Sequence, residues 1–280
     1  MSNTLMSVFY DRKYILTGNI VEVIEYERPV LKRLGERRAE GSNSGRSVDA
    51  SEVDQERHRK DTLQRARAKV RRLINTNAYQ WFDEKGKAYK PVFLTLTYAD
   101  NMTDVSQGNK DLRGFIKRLS YMVHGGQEGC LKYLAVPEFQ ERGAVHYHLV
   151  IFNLPYTDKE LIASRWGHGF IDIRSINQVT NVGAYISKYM TKTEDERLKG
   201  RRCFLSSQGL HEPVEIKCRS GTQKAREIEN SARSLPLKYE SSFQTDYYGL
   251  ITYKQYSTKR GETHQPGVVP RERLPYCESM

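Results

Sequence analysis

Two groups of side chains in this sequence have the types and spacings that chemistry needs. The first is Glu138 with His146 and His148, in Val136-Pro137-Glu138-Phe139-Gln140-Glu141-Arg142-Gly143-Ala144-Val145-His146-Tyr147-His148. The second is Tyr185 with Tyr189, in Tyr185-Ile186-Ser187-Lys188-Tyr189-Met190-Thr191-Lys192. Two imidazoles and a carboxylate leave coordination positions open for water or a phosphate oxygen. Such a set suits Mg²⁺ or Mn²⁺, and also Zn²⁺. A phenol, with a pKa of about 10, is a poor nucleophile at neutral pH. Nearby positive charge and a polarised phosphate together make it a competent one.

Local chemistry says how the chain brings these groups together. Glycine supplies the left-handed last position of a three-residue hairpin turn without steric cost. With Glu141-Arg142-Gly143 as that turn, Gln140 pairs with Ala144, Glu138 falls opposite His146, and Val136 opposite His148. Opposed residues share a sheet face, as do residues two apart on one strand, so Glu138, His146 and His148 converge on one face. Val145, Tyr147, Leu149 and Ile151 then point to the other face, where helices can pack. A helix over 179–192 sets Tyr185 and Tyr189 one turn apart, with Lys188 and Lys192 each three residues after a tyrosine. Alone, a His-x-His on a strand is commonly a surface pair, and two tyrosines four apart are commonly core aromatics. The opposed glutamate and the tyrosine helix raise the combination above either.

Around these groups lies a regular succession of elements. Val92-Phe93-Leu94-Thr95-Leu96-Thr97-Tyr98 is a β-branched and aromatic strand. A helix follows over 108–122, with Leu112, Phe115, Ile116 and Leu119 on one side. Strands at 131–139 and 145–152, a short helix near 157–165 and the strand Gly169-Phe170-Ile171-Asp172-Ile173 complete the order β-α-β-β-α-β. That order predicts an α+β fold, a split βαβ antiparallel sheet with helices on one face. The rest of the chain divides into an N-terminal strand segment (1–35), a Gly- and Ser-rich flexible linker (36–55), a basic helix with its connection (56–90), the compact domain (91–195) and a C-terminal extension (196–280). In the first segment the alternating stretch 18–26 reads as a strand ending near Pro29, and in the last the Tyr-rich stretch 247–256 as another.

Charge narrows the partners. The formal net charge is +11 and the pI about 9.4, which favours a polyanion, nucleic acid first. Leu63, Ala66, Val70, Leu73 and Ile74 make one apolar stripe on the first helix, whose other faces are basic. Between Glu56 and Asn75 there are eight Lys and Arg against two acids. Arg65, Lys69 and Arg72 from this helix, with Arg142 and Lys192, are the expected DNA contacts, each neutralised phosphate releasing counterions. The four cysteines are far apart, so neither a disulfide framework nor a zinc knuckle is indicated, and a reducing cytoplasm fits. No signal peptide, no 18-residue apolar run and no GxxxxGK[ST] motif is found, so no membrane span and no ATP-driven motor is expected.

Three blocks in this order resemble the HUH endonuclease superfamily, specifically the two-tyrosine replication initiators of small single-stranded DNA phages and rolling-circle plasmids. They are Phe93 to Tyr98, His146-Tyr147-His148 with upstream Glu138, and Tyr185-Ile186-Ser187-Lys188-Tyr189. Tyr147 stands where that family has a bulky apolar residue. The resemblance covers residues 60–195. It implies that Glu138, His146 and His148 ligate one divalent cation, Mg²⁺ or Mn²⁺, that polarises the scissile phosphate. It implies attack by Tyr185 or Tyr189, leaving a 5′-phosphotyrosine and a free 3′-OH, with Lys188 stabilising charge. Single-stranded origin DNA, and host helicase and polymerase, are the partners it implies, and Trp166-Gly167 is a structural marker. A relaxase or transposase of the same superfamily would share this chemistry. An RRM-like binding module would instead show aromatics on the central strands, and a His₂Glu zinc hydrolase would need neither tyrosine.

Overall fold

The computed structural model describes residues 7–33, 52–125, 129–176, 179, 181–189 and 202–258, with side chains of the first helix from residue 59. In chain order its elements are β1 (Ser7–Thr17), β2 (Ile20–Arg33), α1 (Glu52–Asn77), β3 (Val92–Tyr98), α2 (Val105–Val123), β4 (Tyr133–Phe139), β5 (Val145–Ile151), α3 (Lys159–Trp166), β6 (Gly169–Ser175), α4 (Val182–Ser187), β7 (Leu205–Ser206), β8 (Val214–Cys218), α5 (Gln223–Arg233), β9 (Leu237–Thr245) and β10 (Gly249–Ser257). They form two compact units, one from residues 1–59 with 213–280 and one from 60–212. The result is an α+β protein with two antiparallel sheets.

In the unit built from both chain ends, the strands run β8-β1-β2-β10-β9, each neighbouring pair antiparallel. Pro29 does not end its strand. β2 continues to Arg33 because the ladder to β1 shifts register between Tyr10 and Arg12, and the proline falls in that irregular stretch, where no ladder donor is needed. Ala225, Ile228 and Ala232 of α5 pack on Tyr14, Val21, Val23 and Ile216. The buried Tyr14 hydroxyl donates to Glu229 over 2.9 Å, satisfying the polar end of a core ring.

In the unit of 60–212, the strands run β6-β3-β5-β4-β7, and β3-α2-β4-β5-α3-β6 is the split βαβ order. Strand alternation divides the sheet into two faces. On one face, Leu94, Leu96, Tyr147, Leu149 and Ile151 pack with Leu112, Phe115 and Leu119 of α2 and with Ile162 and Trp166 of α3. Burying each such side chain stabilises the fold by about 1.5–3 kcal/mol. On the other face, Phe93, Leu134, Val136 and Val150 pack with Val70, Leu73 and Ile74 of α1 and with Val182 and Ile186 of α4. Helices therefore lie on both faces, where the β-α-β-β-α-β order by itself places them on one. The apolar stripe of α1 needs a partner, and the apolar half of the second face supplies it. The polar half of that face carries the candidate site.

Candidate active site

Backbone pairing builds the site in rows across the strands. The hairpin closes at Gln140, whose N–H donates to Ala144 O over 2.9 Å, and Gly143 takes φ +90°. The register that follows sets Glu138 opposite His146 and Val136 opposite His148. On the other side of β5, Thr97 is opposite His146 and Thr95 opposite His148. Beyond β3 come Phe170, opposite Thr97, Asp172, opposite Thr95, and Arg174, opposite Phe93. Glu138, His146, His148, Thr95, Thr97, Asp172 and Arg174 thus share one face of the sheet. Tyr147 points the other way. Its buried hydroxyl donates to Asn109 over 2.9 Å, and a Cβ on Gly108 would lie 2.7 Å from that oxygen. A tyrosine fits between the two histidines because α2 offers an acceptor and an open space there.

Glu138 and His148 are both buried, and His148 Nε2 faces Glu138 Oε2 in a short hydrogen-bonding contact. The Oγ1 of Thr95 lies 3.2 Å from the Nδ1 of the same ring. With the proton on Nδ1, Thr95 accepts it and the Nε2 lone pair is left for a cation; with the proton on Nε2, Glu138 accepts it. The ring of His146 is 6.4 Å from that of His148, centroid to centroid. Among the described residues, no three His, Cys, Asp or Glu side chains are drawn into a metal shell. The three donors suit a divalent cation by kind. One hard carboxylate and two imidazoles share a face, and one imidazole is already oriented by an outer partner.

The tyrosines come from α4, which is capped by Asn181: its Oδ1 accepts from Ala184 N over 2.8 Å. The α-helix runs from Val182 to Ser187, Lys188 and Tyr189 continue it as a 3₁₀ turn, and residues 180 and 190–192 of the expected span 179–192 lie outside the described residues. Tyr189 stacks on His148 with centroids 4.2 Å apart, and Tyr185 meets Tyr189 edge-on at 6.2 Å. Burial, a hydrogen bond to Tyr185 and the carboxylate of Glu138 push the Tyr189 pKa up to about 12, partly offset by Arg174. Lys188 Nζ sits 4.0 Å from the Tyr185 ring centre and 5.4 Å from that of Tyr189, over the π faces. Arg174 hydrogen-bonds both Asp172 and Tyr185, and these contacts raise its pKa.

The expected DNA contacts divide. Arg65 and Lys69 are exposed on α1, and Arg72 is half-buried on the same helix. Lys69 lines a cavity of about 780 Å³ together with Arg113 and Arg202. Arg142 has a framework role: its guanidinium donates to Gln140 Oε1 at 2.8 Å, Tyr98 O at 2.7 Å and Ala99 O at 3.3 Å, tying the hairpin turn to the end of β3. Lys192 lies outside the described residues. Trp166 is a core side chain, its Nε1 donating to Thr97 O over 3.1 Å, and Gly167 caps α3 in the left-handed region.

Residues 91–194 match a family model of replication-associated proteins, of the ORF2 type. That segment is 104 of the 280 residues, and it holds Glu138, both histidines and both tyrosines. Searches of curated proteins and of solved structures found no match. The family match supports a role in DNA replication, of the replication-initiator kind. Among the described residues, no helix is long and apolar enough to cross a membrane.

Four further residues support the site. Thr95 orients His148, and Arg174 reaches Tyr185. The other two join α4 to α1. The buried Asn75 donates to Asn181 Oδ1 over 2.9 Å and accepts from Gly183 N over 2.8 Å. A Cβ on Gly183 would overlap Arg71 O, so only glycine allows the two backbones this close. Alternation within Phe170-Ile171-Asp172-Ile173-Arg174 signals the Arg174 face, and alternation in β3 signals Thr95. Nothing local in the sequence signals the Asn75–Gly183 contact.

Proposed function

We propose that the 60–212 unit is a nicking-joining endonuclease of the HUH type that starts rolling-circle replication. It cuts single-stranded origin DNA and keeps the 5′ end on a tyrosine. The observation that carries the reading is the stacking of Tyr189 on His148, 4.2 Å between centroids, beside the Glu138 contact. Candidate nucleophile and candidate cation ligands are in touch, though some forty residues apart in sequence.

Glu138, His146 and His148 would hold one Mg²⁺ or Mn²⁺, which supplies Lewis-acid polarisation of the scissile phosphate when bound. Thr95 keeps the His148 ring in place for that role. The phenolic oxygen of Tyr185 or Tyr189 attacks phosphorus, the bond from phosphorus to the 3′ oxygen breaks, and that oxygen takes up a proton to leave a free 3′-OH. Attack by a 3′-OH on the phosphotyrosine reverses the step and rejoins the strand. Arg174 and Lys188 bring positive charge to the phenols and the developing phosphorane oxygens. Arg65, Lys69 and Arg72 add phosphate contacts on α1.

Covalent capture tests this. The protein is incubated with Mn²⁺ and labelled single-stranded oligonucleotides tiling the intergenic DNA of its own element, then run on a denaturing gel. A slow protein–DNA band is expected. It disappears with EDTA, in His146→Ala and in the Tyr185→Phe/Tyr189→Phe double variant, while the single tyrosine variants assign the order of attack. Cleavage with no covalent band would identify a metal hydrolase instead. Tight binding with neither cleavage nor band would identify a binding module.

A further inference from the structure

On its edge strand, the site face of the sheet carries an aromatic side chain that core packing does not explain. Phe170 is 72 % exposed. It lies on β6, at the edge of the sheet, opposite Thr97, which is opposite His146, which is opposite Glu138. Phe170 is therefore the outer member of the row that holds two of the candidate cation ligands. Its direction is fixed from both sides in sequence. Ile171 is buried in the core of the other face. At Gly169, φ +149°, an added Cβ would overlap Ala99 N and Thr97 O, so the start of β6 is pressed against β3. Along the strand on the same face come Asp172 and Arg174, and Arg174 reaches Tyr185.

A single exposed phenylalanine is common on protein surfaces. The position of this one is what needs explaining: a bare ring at the outer end of a polar row with Thr97, His146 and Glu138, on a chain of net charge +11. We propose that Phe170 is a stacking platform for single-stranded DNA, taking an unpaired base close to the scissile phosphate, while Arg174 follows the phosphate backbone along the same strand. Phe170 and Arg174 are separated by about 13 Å along β6, at roughly 3.3 Å per residue, so one strand of nucleic acid can engage both. Every base has a π face, so the platform is tolerant of sequence. Bases in a duplex are already stacked and present no free face, so the platform selects single strands. The position of the base rests on the nicking reading; its stacking does not.

The test uses the full chain in a Tyr185→Phe/Tyr189→Phe background, in EDTA, so that binding is read without cleavage. Fluorescent oligothymidylate is titrated by anisotropy against this parent and against Phe170→Ala, Phe170→Tyr and Phe170→Trp. Phe170→Ala is expected to weaken binding about tenfold, the range found for loss of one base–aromatic stack, with an unchanged unfolding midpoint. Phe170→Tyr and Phe170→Trp keep the affinity of the parent. Phe170→Trp also shows DNA-dependent fluorescence quenching above the background of Trp81 and Trp166. Equal affinity of Phe170→Ala and parent, no added quenching in Phe170→Trp, or the same tenfold loss on duplex DNA would each overturn the proposal. Failure of covalent capture in the wild-type chain would remove the nicking reading and leave this titration standing. An unchanged Phe170→Ala affinity would remove the platform and leave the covalent band standing.

Discussion

Tyr189 shows how much chemistry one position concentrates. Its ring covers His148, its hydroxyl is hydrogen-bonded to Tyr185, and Glu138 contributes negative charge nearby. Burial is the largest of these effects, and all of them favour the neutral phenol, so its pKa rises to about 12. Because the folded pKa lies above the unfolded value, the contribution of Tyr189 to stability is complete below about pH 10 and is lost as pH climbs towards 12. Ultraviolet difference titration of the metal-free protein against Tyr189→Phe should find one phenol ionising near pH 12. Ionisation near pH 10 would mean that the stacked, hydrogen-bonded arrangement does not persist in solution. Asn109 makes a second point at this scale. A side chain on α2 gives the buried hydroxyl of Tyr147, between the two histidines, its acceptor.

At the scale of elements, the site depends on how α4 seats on α1. A six-residue helix has little stability of its own, and tertiary contacts must hold it. Asn75 ties α1 to both the cap and the first turn of α4, and Gly183 permits the close approach. Gly183→Ala should cost roughly 1–3 kcal/mol through overpacking against the α1 backbone. Asn75→Ala should cost about 1–3 kcal/mol by leaving the buried Gly183 N–H without an acceptor. Urea denaturation measures both. Each variant should also lose stacking at His148, and with it the covalent band, out of proportion to its loss of stability. A Gly183→Ala protein as stable as wild type would show that α4 has another seat.

At the scale of the whole molecule, the net charge of +11 favours a polyanionic partner. The exposed and half-exposed cations of α1 lie in the same unit as the candidate site. Replacing Arg65, Lys69 and Arg72 together by Gln should reduce the slope of log affinity against log salt by about 2 for single-stranded DNA, at roughly 0.7 per phosphate lost. Affinity should fall similarly on all sequences, because phosphate contacts carry no base information. An unchanged slope would remove α1 from the DNA-contacting surface. Arg142 is left out of this set because its donors are engaged by the hairpin and the end of β3.

The sequence by itself determined what depends on neighbours in the chain. Strand alternation and the turn preference of Gly143 fix the hairpin register, and that register puts Glu138, His146 and His148 on one face. Apolar spacing likewise gives α2 its buried stripe. Tertiary structure decided everything that depends on distant pairing. Arg12 pairs with Cys218, so residues 1–35 and the C-terminal extension, which read as separate segments, contribute strands to one sheet. Thr95 and Arg174 join the site only because β3 and β6 lie beside the hairpin. Helices occupy both faces because the apolar stripe of α1, legible in the sequence, finds its partner on the second face of the sheet. Local steric and turn preferences are written within a few residues, whereas the partner of a strand edge or helix stripe is chosen by competition among all such surfaces in the folded chain.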